Sequence, residues 1–580
     1  MRRNRIFPVI AAIIFAAPAA AQSLDPDYYE YPLRDVAGYY SANFGEMRPN
    51  HFHSGVDLKT DGVEGKSVVA AADGYVSRIL QSPSGYGLAL YVAHPNGTTT
   101  VYGHLSRFRK DIADFVFAER HRLKSSRVDI ACPPDKFRVM RGEEIARSGN
   151  TGSSMGPHLH YEIRDTETQK THNVIAQGVL KPKDNIAPYI MKVHYIEVDT
   201  VRGIPLNTRP ATYAVRKIDG NTYGLAQQSP VKVGRKGYFV VEASDRKDDC
   251  ANTYGIYRLT AKVDGQTFFQ YRNDGFTFDL SRYCNAVAYY PVQRNSRNEA
   301  IRLAAMQGGT ERFYPTLLGR GAIGAAEGAR RKIDLTVEDD CGNVSTLAFE
   351  IEGKPEAECF RGGIDEECKL VYCDRDFAVK VDDTFSVVIP KGTLYESAAL
   401  RIERSEITPA ADSTVRVLSP AYRVGDRNVP LHKSIAPVFS ISVDEALRPY
   451  VVMASVADNG RLSYAGGSFR YNRLAGRTSS FGTYCLAVDT VPPVIKPQFA
   501  DGQDCRGRDR IAFRISDNFS GIGSYSATID GRWVATDLSH GRASIDLRAE
   551  GIAGGTTHAV EFTLTDNCGN RTVWRGTIVR

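Results

Sequence analysis

The run Gly156-Pro157-His158-Leu159-His160-Tyr161-Glu162-Ile163 constrains this chain more than any other segment. Side chains alternate faces in an extended strand, so His158 and His160 share one side while Leu159, Tyr161 and Ile163 share the other and need a core. Such a strand belongs in a sheet whose polar face does chemistry. A second run, His53-Ser54-Gly55-Val56-Asp57, sets an imidazole and a carboxylate four positions apart, again on one face if the segment is extended. Zinc accepts histidine nitrogen and aspartate oxygen, and a catalytic site uses three protein ligands with the fourth position open. His53, Asp57 and one histidine of the pair supply such a set.

At 580 residues the chain is too long for one core and implies about three to five domains. Basic Met1–Arg5, an apolar stretch from Ile6 to Ala17 and Ala19-Ala20-Ala21 before Gln22 read as a signal peptide over residues 1–21. No later apolar run approaches the ~20 residues of a spanning helix, so no transmembrane segment is expected. The formal charge of +6 falls to +3 without Arg2, Arg3 and Arg5, which leaves nucleic-acid binding without electrostatic support. Ten cysteines in an exported chain point to disulfides. Cys505 and Cys568, alone in the last segment, are expected to bond to each other. Cys359, Cys368 and Cys373 also read as disulfide partners, since no fourth ligand completes a metal site.

Strand and turn signals recur along the chain. Ser67–Ala72 and Tyr75–Leu80 flank Asp73-Gly74, and Leu88–His94 and Thr98–His104 flank Pro95-Asn96-Gly97, each read as a hairpin. Strict alternation puts Tyr102 and His104 on one face. Farther on, a repeat is visible. Asp184-Asn185-Ile186-Ala187-Pro188 parallels Asp489-Thr490-Val491-Pro492-Pro493, and Asp339-Asp340-Cys341-Gly342-Asn343 parallels Asp566-Asn567-Cys568-Gly569-Asn570. The fold class expected is mainly β, with immunoglobulin-like β-sandwiches at 186–355, with insertions, and at 489–580. Residues 356–488 form a further β-rich module of undetermined class, and residues 22–185 form the first domain.

Four ordered motifs carry a resemblance. Arg48-Pro49-Asn50-His51-Phe52-His53-Ser54-Gly55-Val56-Asp57, Tyr102-Gly103-His104-Leu105, Ser148-Gly149-Asn150-Thr151-Gly152 and Gly156-Pro157-His158-Leu159-His160 resemble the motifs of the lysostaphin/LytM-type zinc endopeptidases over roughly residues 30–185. The resemblance implies an antiparallel β-fold with one zinc ion, held by His53, Asp57 and His160, and catalytic histidines His104 and His158. It also implies a peptidoglycan cross-link peptide as substrate. This chain departs from the family by roughly twenty extra residues around Asp111 to Pro134, which bear on specificity if they border the groove.

The function expected is a secreted zinc metalloendopeptidase that cleaves peptide cross-links of peptidoglycan, acting in the periplasm or cell envelope. Its downstream modules would position it, by contact with wall or other envelope proteins. The alternatives are a catalytically silent wall-binding scaffold or amidase activator, and a general extracellular protease. His51, His94, His121 and His172 read as structural or surface residues, and Tyr102 as a packed aromatic.

Overall fold

The computed structural model describes residues 23–296, 298–410 and 414–580, so the expected signal peptide lies outside the described residues. The chain is mainly β. No helix among the described residues is long and apolar enough to cross a membrane.

The first unit is an antiparallel sheet ordered Tyr40–Ala42, Val56–Lys59, His158–Asp165, Thr98–Phe108, Leu88–Ala93, Gly74–Gln81 and Arg138–Val139. Strand His158–Asp165 sits between Val56–Lys59 and Thr98–Phe108 with its odd-numbered side chains from Leu159 to Ile163 turned into the core. Leu159, Tyr161 and Ile163 are all fully buried in the core. The Leu88–Ala93 and Thr98–Phe108 hairpin forms as expected. The other does not: Ser67–Val69 pairs with Glu144–Ser148, while Gly74–Gln81 pairs with Leu88–Ala93. Between them the 70–72 backbone is bound elsewhere, with Ala70 N on Glu143 O and Ala71 N on the Tyr102 hydroxyl.

A bulge corrects the expected placement of Tyr102. Leu88 pairs with Leu105 and Leu90 with Tyr102, so Gly103 and His104 together oppose Ala89. His104 adopts φ +58°, a costly conformation for a residue with a Cβ. The extra residue turns His104 to the face of His158 and His160, while Tyr102 stays in the core against Tyr161.

The extra residues after His104 form helix Lys110–Leu123 and strand Val128–Ala131. Ile112 and Val116 anchor the helix in the first core, and its far end docks on the last unit rather than on the groove. Arg120 pairs with Asp537 at 2.9 Å, and the His121 ring meets Trp533 edge-on.

The second unit is a twelve-stranded sheet that curls over on itself, with Phe239 of one layer against Phe349 of the other. Its core is continuous with that of the first unit. Phe276 packs on Phe44 and Phe52, Phe313 packs on Phe52, and strand Gly275–Phe276 pairs with Thr171–His172. The third unit contains sheets of five and six strands around Phe385, Val387 and Ile389. The fourth is a sandwich of four and five strands whose layers meet where Phe513 stacks on Phe562.

The repeat is reproduced in hydrogen-bond detail. Asp339 Oδ1 accepts from Cys341 N and Asn343 N, and Asp566 Oδ1 accepts from Cys568 N and Asn570 N. Asn343 and Asn570 then donate to the carbonyls of Asp184 and Asp489, tying each turn to the entry of its unit. The turn role of these motifs is therefore local and polar.

No disulfide is present among the described residues, where all ten cysteines are free thiols. Asp504 pairs with Val579 at the open end of hairpin Thr557–Asp566/Arg571–Val579, whereas Cys568 lies in its turn. Roughly 30 Å of strand separates the two, far beyond the ~7 Å that a disulfide bridges. Cys359, Cys368 and Cys373 are likewise unpaired: Cys359 Sγ faces Pro355 O, and Cys373 Sγ faces Ser397 and Gln307.

Candidate metal centre

Register builds the site. In the sheet His160 stands directly opposite Asp57 on one neighbour and Gly103 on the other, so the imidazole and carboxylate project side by side. A Cβ at Gly103 would lie 3.2 Å from Tyr86 and 3.3 Å from His160 Cβ, which explains the glycine there. His53 enters from the segment before Val56–Lys59. His53 Nε2, Asp57 Oδ1 and His160 Nδ1 form a triangle with sides of 3.1, 3.1 and 2.9 Å. Metal–ligand bonds of about 2.0–2.1 Å give a tetrahedron with edges of ~3.3 Å, so these three atoms fit one face of a zinc site.

Outer hydrogen bonds fix which nitrogen each ring presents. His53 Nδ1 donates to Asn43 O at 2.8 Å and His160 Nε2 donates to Glu162 Oε1 at 2.7 Å, which commits the outer nitrogen of each ring and leaves His53 Nε2 and His160 Nδ1 to face the centre. Glu162 is fully buried and also accepts from Ser54 Oγ, Tyr86 OH and Arg164 Nε. Arg48 Nη2 binds the outer oxygen of Asp57 at 2.8 Å.

The charges follow from these contacts. Burial pushes His53 down to about 4, offset only in part by Asp57. Burial would lower His160 as well, but its hydrogen bonds to Asp57 and Glu162 push it up to about 9. Burial works to raise both carboxyls, yet the His53 and His160 rings beside Asp57 and the Arg164 charge beside Glu162 hold them below the usual carboxylate range. The metal-free centre thus holds one proton, on His160. A metal must displace it, so zinc binding at pH 7 should release about one proton, and affinity should fall as pH drops below about 9. Calorimetry in buffers of different ionisation enthalpy reads this directly. Zero protons released would contradict the assignment of charge.

His158 and His104 stand beside the triangle, their rings 4.7 Å apart. His158 Nδ1 donates to Gly156 O at 2.8 Å, leaving Nε2 3.6 Å from Asp57 Oδ1. His104 Nδ1 donates to Thr151 O at 2.8 Å, and burial together with the neighbouring His160 and His158 rings pushes it down to about 3. All five residues expected from sequence are therefore brought together. The other histidines serve elsewhere: His94 bridges Asp73 O and Thr100, His172 meets Asp165, and His121 lies in the interface with the last unit. His51 is exposed at the rim.

Sequence reasoning missed Glu162 and Arg164, although both continue the two-residue spacing of His158 and His160. Asn43, Ser54 and Tyr86 gave no local signal. Glu162→Gln keeps the volume but leaves His160 with a weaker acceptor, and it should weaken zinc affinity about 10–100-fold. Chelator competition measures this; unchanged affinity would make Glu162 a packing residue only.

Two cavities meet at the centre. One of about 460 Å³ is lined by His53, His104 and His160 together with Phe278, Ser281 and Arg282 of the second unit. The other, about 1100 Å³, runs past Asp57, His104 and His158 toward Asn252 and Gln293. The last unit touches the site's border, where His540 Nε2 lies 3.0 Å from Ser154 O and Ser154 Oγ lies 3.3 Å from His158 Nδ1.

Residues 51–120 match the model of Peptidase family M23, and residues 369–489 match that of the Zu5-like domain. An uncharacterised metalloprotease of Haemophilus influenzae is 32% identical over 150 residues, 24% of this chain and 26% of that protein. The DD-carboxypeptidase/endopeptidase Mpg of Neisseria meningitidis is 36% identical over 112 residues, 19% of this chain and 20% of that protein. The matches span about a fifth to a quarter of these curated relatives. Among solved structures, the catalytic domain of the prophage-encoded M23 protein EnpA from Enterococcus faecalis is 25% identical, covering 24% of this chain and 88% of that one, with a TM-score of 0.18. The segment that matches Peptidase family M23 holds His53, Asp57 and His104 of the site.

Proposed function

We propose that this chain is an exported, zinc-dependent metalloendopeptidase that hydrolyses peptide cross-links of peptidoglycan in the periplasm or cell envelope. The observation that carries the reading is the triangle of His53 Nε2, Asp57 Oδ1 and His160 Nδ1, backed by the buried Glu162. The name of a relative from Vibrio cholerae, the peptidoglycan DD-endopeptidase ShyA, 29% identical over 180 residues, supports the substrate class. In this reading His53, Asp57 and His160 hold the metal. Bound there, zinc supplies Lewis acidity that polarises the scissile carbonyl and makes hydroxide available near neutral pH.

The chain's own residues handle the proton. His158, with Nδ1–H committed to Gly156 O, offers a bare Nε2 that takes the proton of the attacking water and returns it to the leaving amine. His104 has the same tautomer and is held neutral, so its free nitrogen orients that water as an acceptor rather than donating to the developing oxyanion. The full ligand set argues against a silent scaffold. The test is zinc content and muropeptide release from purified sacculi by the full chain, with casein as control. A zinc-loaded protein that digests casein and leaves sacculi intact would move the reading to a general protease.

A further inference from the structure

The 460 Å³ cavity beside the metal triangle has a charge of one sign. Its lining includes Arg48 and Arg282 and neither Asp nor Glu. Arg48 is already neutralised, bound to Asp57 at 2.8 Å and 4.0 Å from Glu46. Arg282 is not. Its Nε donates to Leu431 O at 2.9 Å, and its Nη2 donates to Asn50 Oδ1 at 3.3 Å and Ser479 O at 3.2 Å. All three acceptors are neutral, and among the described residues no carboxylate forms an ion pair with it. These acceptors come from the first and third units while Arg282 belongs to the second, so the guanidinium is fixed from several sides with Nη1 left over.

A half-buried guanidinium held by neutral acceptors at the wall of a pocket is prepared for an anion. Its Nη1 hydrogens remain to donate to a carboxylate oxygen, and the bonds to Leu431, Asn50 and Ser479 hold the guanidinium in place before the ligand arrives. The neighbouring 1100 Å³ groove differs, since Glu46, Lys59 and Asp57 give it both signs. The centre therefore lies where a small cationic pocket meets a longer groove of mixed charge.

Resting on the proposed hydrolysis, we infer that Arg282 is a specificity residue that recognises a free carboxylate on the peptide beside the scissile bond. The preferred substrate is then an acidic peptide rather than its amidated form. The second unit, in this account, supplies a wall of the active site.

The test uses full-length, zinc-loaded His158→Ala protein, so that binding is read without turnover. Cross-linked muropeptides and the same muropeptides with their carboxylates amidated are compared by calorimetry. The acid form should bind at least about tenfold more tightly, the range expected of a charge-assisted hydrogen bond. Adding Arg282→Gln should make the two forms bind alike, and Arg282→Lys should restore part of the difference. Equal binding of both forms by the His158→Ala protein, or binding of neither, would overturn the inference. So would discrimination that survives Arg282→Gln. Failure of the wild-type chain to cleave either form while still preferring the acid would count against the proposed hydrolysis alone.

Discussion

His160→Ala should leave this protein unable to hold zinc, while His158→Ala should keep the metal and lose turnover. The two side chains share one face of one strand, two residues apart, but their surroundings divide them. His160 Nδ1 completes the triangle and its Nε2 is locked on buried Glu162. His158 stands outside that triangle with Nδ1 on Gly156 O. Removing His160 deletes one of three ligands and strands Glu162 without its imidazole partner. Removing His158 deletes a proton carrier, for which a loss of about 10²–10⁴ in kcat is expected. Metal analysis of both purified variants, beside kcat on a soluble muropeptide, separates the roles. Equal zinc loss in both would dissolve the distinction.

Cutting the chain near residue 185 should leave an unstable or insoluble fragment, whereas cutting after residue 353 should leave a soluble, zinc-binding one. The first unit looks self-contained in sequence, because its five candidate site residues all lie between His53 and His160. Its core is not. Phe44 and Phe52 are nearly fully buried, and the rings that cover them, Phe276 and Phe313, belong to the second unit. Asn43, which holds His53, is itself held by Gly255 O and Asp340. At about 1.5–3 kcal/mol for each large apolar side chain uncovered, losing these contacts removes a large share of a typical domain's 5–15 kcal/mol. Urea unfolding and zinc stoichiometry of the two fragments decide the point. A stable, zinc-loaded fragment ending near 185 would show that the first core closes without the second unit.

The two-residue alternation from His158 to Ile163 determined a strand, its buried face and the shared side of its histidines, because period-2 patterning is a local property of the backbone. The repeated Asp-x-Cys-Gly-Asn turns were legible for the same reason, since the bonds that Asp339 and Asp566 accept from the backbone close within five residues. Local reading failed where partners are distant. His104 reaches the site only through a bulge opposite Ala89, which strict alternation cannot foresee. Cys505 and Cys568 look paired by elimination, yet the register of Asp504 on Val579 puts them at opposite ends of a hairpin. Asn43 and Tyr86 join the centre because sheet order and packing deliver them there, and Arg282 because the second unit folds over the first. The sequence by itself singled out five candidate residues and the strand that carries His158 and His160. Which unit walls the pocket of His160 only the tertiary structure decided, because Arg282 and Asn50 lie 232 positions apart and meet through packing that no local pattern encodes.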